Sequence, residues 1–486
     1  MALRARLVAP PPEPRQVWPW HTLQCGAIPA SLLLDGDRRM EAQTYLSSGF
    51  GIRAAIESKT SGWNRLGGLA KIWMPGRLKG IQVGRDFGTP FLAATQVYDA
   101  RPIPRKWLAL ERTADSVNRF VRQGMIFVTC SGSVGRPTLA QSLHENTLIS
   151  HDLLRVEAID ERERGWIYAY LLASQVRAMA RGAQYGHIIK HLEISHLEAL
   201  PIPAVDDDTA ADFSRRVSRI LVLRDEGHRL TLEAEARFDK ALGPLKIVDW
   251  GEQGFSVKAS SSFLGGRRRF EASVHNPGIA AIRSHLAKNG KGLMTVGKAG
   301  YDVWLPNRFR RIPAIDGVWL LDSADLTEVN PDLSKCIADN DFGDMYRGRV
   351  EAGWILMARS GQTYGIIGSA ILAGRDLEGH VISDHVMRIK PSIDASIKPG
   401  YLVTALSHPN FGRPLLKSLA YGSSIPEIEV ADVVNFEIVR LKSAEESTIA
   451  DLAEASAKAR AEADVLEREI SKDASIIIDR FITTGR

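Results

Sequence analysis

The chain has 486 residues, 44% of them hydrophobic, three cysteines and a formal net charge of +5. That length and hydrophobic share suit two to four globular domains with real cores. Cys25, Cys130 and Cys336 lie far apart with no CxxC pair. This argues against a disulfide framework or a cysteine zinc site, and for a reducing cytoplasm. No apolar run approaches the ~20 residues of a membrane span. A pI of about 9.0 is compatible with nucleic acid without demanding it.

Residues 1–20 form a Pro-rich arm without the apolar core of a secretory signal. Residues 21–205 read as a mixed α/β unit. Met125–Thr129 and Leu153–Val156 are strand-like, and Arg164–Ala180 is helix-like. Prolines at 201 and 203 forbid a continuing helix.

A long helix is predicted over 206–243. It opens on Asp206, Asp207 and Asp208, carries a stripe of Phe213, Val217, Ile220, Leu230, Ala234, Phe238 and Leu242, and stops at Gly243-Pro244. A second mixed unit follows over 247–442, with strand signals at Trp354–Ala358 and Val386–Ile389. The last helix, 443–486, opens on a Ser443-x-x-Glu446 capping box. Its stripe reads Ile449, Leu452, Ala455, Ala459, Ala463, Leu466, Ile470, Ile477 and Phe481. The two stripes predict a coiled-coil-like pair. The alternative is that each helix packs on its own domain. At 1.5 Å per residue a helix of about 36 residues is ~54 Å long.

The second half repeats the first. Arg39-Met40-Glu41-Ala42 returns as Arg269-Phe270-Glu271-Ala272, an offset of 269 − 39 = 230. Trp73–Arg77 returns as Trp304–Arg308, Gly124 and Ser131-Gly132 as Gly353 and Ser360-Gly361, and Ser150–Arg155 as Ser383–Arg388. Tyr185-Gly186 returns as Tyr421-Gly422. One domain duplicated, each copy followed by a long helix, implies two similar reading heads.

Enzyme-like fragments are present but incomplete. Gly292–Ala299 looks like a P-loop, yet Ala299 stands where Ser or Thr must hold Mg²⁺. Asp86-Phe87-Gly88 and Asp341-Phe342-Gly343 echo a kinase triplet without other kinase elements. His187, His191 and His196 lack an acidic partner, and Glu57-Ser58-Lys59 lacks the rest of a nuclease core. No N/D-P-P-Y/F methyltransferase motif occurs. No catalysis and no metal site are therefore expected in this chain.

The ordered set resembles the specificity (S) subunit of type I restriction-modification enzymes. It comprises the Arg-x-Glu-Ala opening, with Tyr45 and His275 beyond it, the Gly-apolar-Ser-Gly turn, the Ser/Asp-His segment (Ser150-His151-Asp152, Ser383-Asp384-His385), the Tyr-Gly turn and the helix. The resemblance spans nearly the whole chain. It implies a mixed α/β fold: target-recognition domain 1 (21–205), spacer helix 1 (206–243), target-recognition domain 2 (247–442) and spacer helix 2 (443–486), the helices paired antiparallel.

The implied role is recognition of a bipartite, asymmetric site on double-stranded DNA. Two modification methyltransferase subunits and a restriction/translocase subunit would dock on the helices. S-adenosylmethionine, ATP and Mg²⁺ would then belong to those partners, with no cofactor here. The rival is a protein-binding scaffold without its own base readout.

DNA-binding candidates follow from charge and turn chemistry. In the first unit they are Arg77, Lys79, Arg105, Ser133, Arg136, Tyr185, His187 and Lys190, with Arg85, Arg101 and Lys106 as further cations. In the second they are Lys298, Arg308, Arg310, Arg311, Arg347, Gln362, Thr363, Tyr364, Ser423 and Ser424, with Arg267, Arg268, Arg269 and Arg349 behind them. Arg and Lys supply phosphate contacts, and Arg can also read guanine. Phe213, Val217, Ile220, Leu230, Phe238, Leu452, Leu466, Ile470 and Ile477 are the expected helix-pair and docking residues.

Overall fold

In the computed structural model the repeat of sequence becomes a repeat of structure. Described are residues 28, 30, 42–183, 191–245, 254–263, 269–339, 347–422 and 424–485. The Pro-rich arm, Arg39–Glu41, Tyr185, His187, Lys190, Arg267, Arg268, Asp341–Gly343 and Ser423 lie outside them. The chain divides into two units. The first runs to Tyr98, then Pro102–Val222 and from Leu466 onward, and the second takes Asp99–Arg101 and Leu223–Val465. Both long helices are therefore shared out, half to each unit.

Unit 1 contains α1 (Ser48–Glu57), β1 (Trp63–Arg65), β2 (Ala70–Trp73), β3 (Gln82–Val83), β4 (Thr89–Leu92) and β5 (Lys106–Leu108). Then come β6 (Ile126–Thr129), β7 (Pro137–Leu139), β8 (Leu148–Ile149), β9 (Leu153–Ala158), α2 (Arg164–Leu172), α3 (Ser174–Ala183) and β10 (Pro201–Pro203). The main sheet has the antiparallel order β2-β9-β6-β7. Its central strand β6 is buried throughout and apolar up to its last residue, Thr129, hence the Ile126-Phe127-Val128 run. A second sheet, β3-β5-β4-β8, ends in a parallel pair. The expected 164–180 helix is interrupted. Ala173 takes an extended backbone (ψ 139), which separates α2 from α3.

Helix α4 (Asp207–Leu242) leads into unit 2, with α5 (Pro277–Asn289), β11 (Gly292–Thr295), β12 (Tyr301–Trp304), β13 (Pro313–Leu321), β14 (Cys336–Ile337) and β15 (Ile355–Ala358). It continues with β16 (Ala370–Leu372), β17 (Val381–Ile382), β18 (Val386–Pro391), α6 (Pro399–Ser407), α7 (Gly412–Ser418), β19 (Glu437–Arg440) and α8 (Ser443–Thr484). The orders repeat: β12-β18-β15-β16 in the main sheet and β14-β13-β17 in the second, again with a parallel pair. The register repeats too, with Trp73 opposite Arg155 and Trp304 opposite Arg388.

The P-loop-like fragment begins as β11, paired to β19 as β1 is to β10. Prolines are tolerated in β10 because that two-stranded ribbon leaves its other edge without a ladder. Gly124 and Gly353 both sit at positive φ (86° and 89°) before the buried central strand, a conformation that favours glycine.

The long helices start and stop as their caps dictate. Asp206 Oδ1 accepts from Thr209 N–H at 2.7 Å, and Gly243 (φ 72°) donates to the Asp239 carbonyl. Glu446 departs from the expected capping box: it accepts from Leu441 N–H and pairs with Arg440 at 2.7 Å. Within unit 2 the helices run antiparallel, since Arg224 meets Asp464 whereas Thr231 meets Ser456.

Each unit also welds its sheet domain to a spacer helix through a glycine. A Cβ on Gly165, in α2, would stand 2.2 Å from Ser214 N of α4. One on Gly400, in α6, would stand 2.2 Å from the Ala450 carbonyl oxygen of α8. Both readings of the stripes thus hold: the helices pair, and each also packs on its own domain.

Candidate nucleic-acid interface

Three motif segments of unit 2 meet at one end of its main sheet. Strand β15 delivers Arg359, Ser360 and Gly361. Arg359 pairs with Glu427 at 2.6 Å, and Gly361 N–H donates to the Pro426 carbonyl at 3.2 Å. Gln362 Nε2 donates to the Ser424 carbonyl at 3.0 Å. The Ser-Gly turn and the Tyr-Gly turn are therefore one assembly. Arg359 N–H also donates to the His385 carbonyl at 3.0 Å, and Ser360 Oγ lies 3.5 Å from His385 Nδ1. This draws in the Ser383-Asp384-His385 segment. Thr363, Tyr364 and Ser424 are exposed on the rim of the assembly.

Asp384 ties the basic run to this end. It pairs with Arg311 at 2.6 Å and with Arg308 at 3.6 Å. Burial pushes its carboxyl up, but hydrogen bonding and the Arg311 charge outweigh that and hold it below the ordinary carboxylate value. Arg308 keeps 87% of its side chain exposed, and Arg310 is exposed beside it. Arg347 belongs to the same end, its carbonyl accepting from Trp304 Nε1 at 3.4 Å. Lys298 does not. It precedes Tyr301, whose partner in β18 is Pro391, so it lies at the opposite end of β12. Its grouping with the other cations is corrected by strand register.

Unit 1 builds the same end with different side chains. Thr129, at the close of β6, pairs with Leu153, and Thr129 Oγ1 accepts from Arg136 N–H at 3.0 Å across the Ser-Gly turn. The Cys130 carbonyl accepts from Leu192 N–H, and Ser150 Oγ donates to Asp152 at 2.8 Å. Ser133 is exposed at the tip. Arg136 is half-buried, its guanidinium 4.1 Å above the Tyr98 ring while Tyr98 Oη donates to its carbonyl. It braces the turn from behind. Arg77, Lys79 and Arg105 are exposed. The turn that carries Arg77 is clamped by Asp115, which accepts from Gly76 N–H at 2.9 Å, and by Arg119, which donates to the Gly76 carbonyl.

Two residues escaped the sequence reading. Arg155 and Arg388 are fully buried, and neither is paired to a carboxylate. Arg155 donates to the Ser150, Leu153 and Ile149 carbonyls, and Arg388 to those of Ser383, Val386, Ile382 and Gly348. Burial pushes each guanidinium down to about 9, so both still carry charge at neutral pH. They fold the Ser/Asp-His segment around themselves in both units. Their recurrence at the end of the Ser150–Arg155 repeat was the available signal.

The helix residues fall into two groups. Phe213, Val217, Ile220, Leu230, Phe238 and Ile470 are buried, so they hold the fold and cannot serve as a docking surface. Leu452, Leu466 and Ile477 are half-buried. The second stripe is also re-phased: Ala455 is exposed while Ser456 and Ile478 are buried. Mid-seam the chain is polar. Arg224 pairs with Asp464, and Ser456 donates to the Gly227 carbonyl. Gly227 and Ser456 bring those backbones close, and Ala459 and Ala463 of the stripe are buried as well. Val222, Leu232, Val465 and Ile476 are large apolar side chains left exposed on the long helices, at 57%, 47%, 38% and 48%.

Among the described residues no group of three His, Cys, Asp or Glu side chains is placed to hold a metal, and no helix is long and apolar enough to cross a membrane.

No protein-family profile and no curated protein matches the sequence. Solved structures do. The S subunit of a type I restriction-modification system from M. genitalium is 12% identical, with 87% of this chain and 96% of that chain covered and a TM-score of 0.31. The HsdS subunit from Thermoanaerobacter tengcongensis is 13% identical over 88% and 98%, with a TM-score of 0.26. A chain from a study of complex assembly and conformational transition in a type I system is 12% identical over 87% and 98%, with a TM-score of 0.27. At such scores the likeness says nothing of function, which has to rest on the chain's own geometry.

Proposed function

We propose that this chain is the DNA sequence-specificity subunit of a type I-like restriction-modification or defence complex. One observation carries the reading. Two units share sheet order, register and buried arginine staples, yet present different exposed side chains at the same end: Ser133 in one, Gln362, Thr363 and Tyr364 in the other. A conserved frame with divergent rims is what two readers of two different half-sites require, with exposed Arg and Lys for phosphates and polar tips for base edges.

The site is then bipartite and asymmetric on duplex DNA. Methyltransferase subunits dock on the spacer helices, where Val222, Leu232 and Ile476 offer exposed apolar contacts, and a restriction/translocase subunit joins them. Methyl donor, ATP and Mg²⁺ act in those partners, and this chain carries out no chemistry. The test is to map methylated bases in DNA exposed to the chain with its methyltransferase. The expected product is one motif with two unlike halves. A continuous or palindromic motif, or methyltransferase binding with no duplex affinity, overturns the reading, the latter in favour of a protein scaffold.

A further inference from the structure

Both units send the chain on a short excursion beside the same strand. In unit 1, Gln82 and Thr89 both stand opposite Leu108, on the two edges of β5, so residues 84–88 carry the chain from one edge of that strand to the other. In unit 2, Pro313 and Val318 both stand opposite Ile337, and residues 314–317 are thrown out in between. Leu108 and Ile337 are themselves repeat partners (337 − 108 = 229). So are the glycines that end each excursion, Gly88 and Gly317 (317 − 88 = 229). A Cβ on Gly88 would meet the Val83 side chain at 2.5 Å, and one on Gly317 the Ile337 carbonyl oxygen at 2.0 Å. Each glycine is thus pressed against the neighbouring strand, which leaves the residues before it directed outward. Extra residues that recur at one place in both copies of a duplicated fold are features in their own right.

The crest of each excursion is apolar and bare. Phe87 is 83% exposed and Ile315 is 98% exposed. Single exposed apolar residues are common and by themselves mean nothing. These two occupy equivalent crests, and neither packs into a core. Along residues 77–115, which hold this turn and its partner strand β5, the exposed cations Arg77, Lys79, Arg85, Arg105, Lys106 and Arg112 outnumber the exposed acids Asp86, Glu111 and Asp115, and Asp115 already serves the Gly76 amide. Arg85, in the same turn, lies over the Trp107 ring at 5.9 Å. An apolar point on a cationic segment suits a polyanion that has apolar faces between its charges, and base pairs supply those faces. The Asp86-Phe87-Gly88 triplet, without meaning as a kinase element, acquires one here.

We propose that Phe87, and Ile315 in the second unit, are apolar wedges that enter a base step of the bound duplex and partly unstack it. The inference rests on the DNA-recognition reading above. A wedge of this kind loses base stacking locally and kinks the duplex, which brings more protein surface into contact. It carries no charge, so its contribution is independent of salt, unlike that of the phosphate contacts. Ile315 is a smaller wedge than Phe87, so its effect is the weaker of the two.

The test uses the full-length chain with its methyltransferase, on duplex carrying the motif found by methylation mapping. 2-Aminopurine is placed in turn at each step of both half-sites. Wild-type protein should brighten one step in each half. Phe87→Ala should abolish one of those signals and weaken binding about tenfold, a typical value for losing one stacking contact. The factor should be the same at low and high salt. Phe87→Leu should restore most of both, and Ile315→Ala should silence the other half. Because both side chains are exposed, the melting temperature should not move. Unchanged fluorescence and affinity in Phe87→Ala, with wild type still binding, overturns the wedge. A drop in methyltransferase association with duplex affinity intact overturns it too, and assigns the crest to a protein partner. Wild type that binds no duplex at all defeats the specificity reading itself.

Discussion

At the scale of single residues, the least expected feature is a cation buried among carbonyls. A buried guanidinium without a carboxylate is costly unless its donors are used. Arg388 uses Nη1 and Nη2 on four backbone carbonyls, those of Ile382, Ser383 and Val386 at the turn and that of Gly348, while its Nε has no partner. Removing it leaves those acceptors unpaired, at about 1–3 kcal/mol for each group that water cannot reach. It also relieves the charge of its burial. We expect Arg388→Met to lower unfolding free energy by about 2–4 kcal/mol. Arg155→Met should do the same in unit 1. Denaturant midpoints identical to wild type would show that the carbonyls find other donors. Arg308 behaves differently. Its side chain is almost free in solvent and its pairing with Asp384 is long at 3.6 Å, so it should act on DNA through charge. Arg308→Ala should weaken cognate and scrambled duplexes alike and lower the salt slope by about one unit. A loss confined to the cognate site would instead make Arg308 a base reader, worth about 1–3 kcal/mol at one position.

At the scale of elements, the spacer helices were legible in the sequence because they obey local rules: acids and Asp206 at the start, Gly243 at the end, apolar residues three and four apart. What escaped was everything set by tertiary contact. Ala455 fits the stripe by type, but the polar partners Gly227 and Thr231 rotate Ser456 into the seam instead. Gly165 and Gly400 look like incidental helix glycines until the neighbouring backbone is placed against them. At both, alanine would overlap a helix backbone, and overpacking of this kind costs about 1–3 kcal/mol. Gly165→Ala should destabilise unit 1, and Gly400→Ala unit 2, each measurable as lost amide protection in its own unit. Equal losses in both units would contradict that assignment. Docking can be separated from folding in the same helices. Ile470→Asp buries an unpaired charge and should unfold unit 1, whereas the exposed Leu232→Asp should leave melting intact and reduce methyltransferase association. Association unaffected by Leu232→Asp and by Ile476→Asp would move the docking surface off these faces.

At the scale of the whole molecule, the duplication was visible in the sequence because short motifs keep their order where the frame needs them. Register explains which motifs survive: Trp73 with Arg155 and Trp304 with Arg388 are paired positions, so each constrains the other. Rim residues have no such constraint, and the sequence could nominate them but not group them; Lys298 was placed with cations that lie at the other end of its strand. The same distinction decides what a domain exchange should do. Each unit closes its own core, Trp166 against Phe213 in one and Phe238 against Tyr401 in the other. Replacing residues 21–205 with the matching region of a relative, while keeping Asp99–Arg101 of the second unit, should therefore leave the second core and its rim intact. If the rims read DNA independently, methylation mapping of the chimaera should return a motif with one half altered and the other unchanged. The spacing between halves should also persist, because α4 and α8 are retained. A motif altered in both halves would show that base choice is not local to either rim.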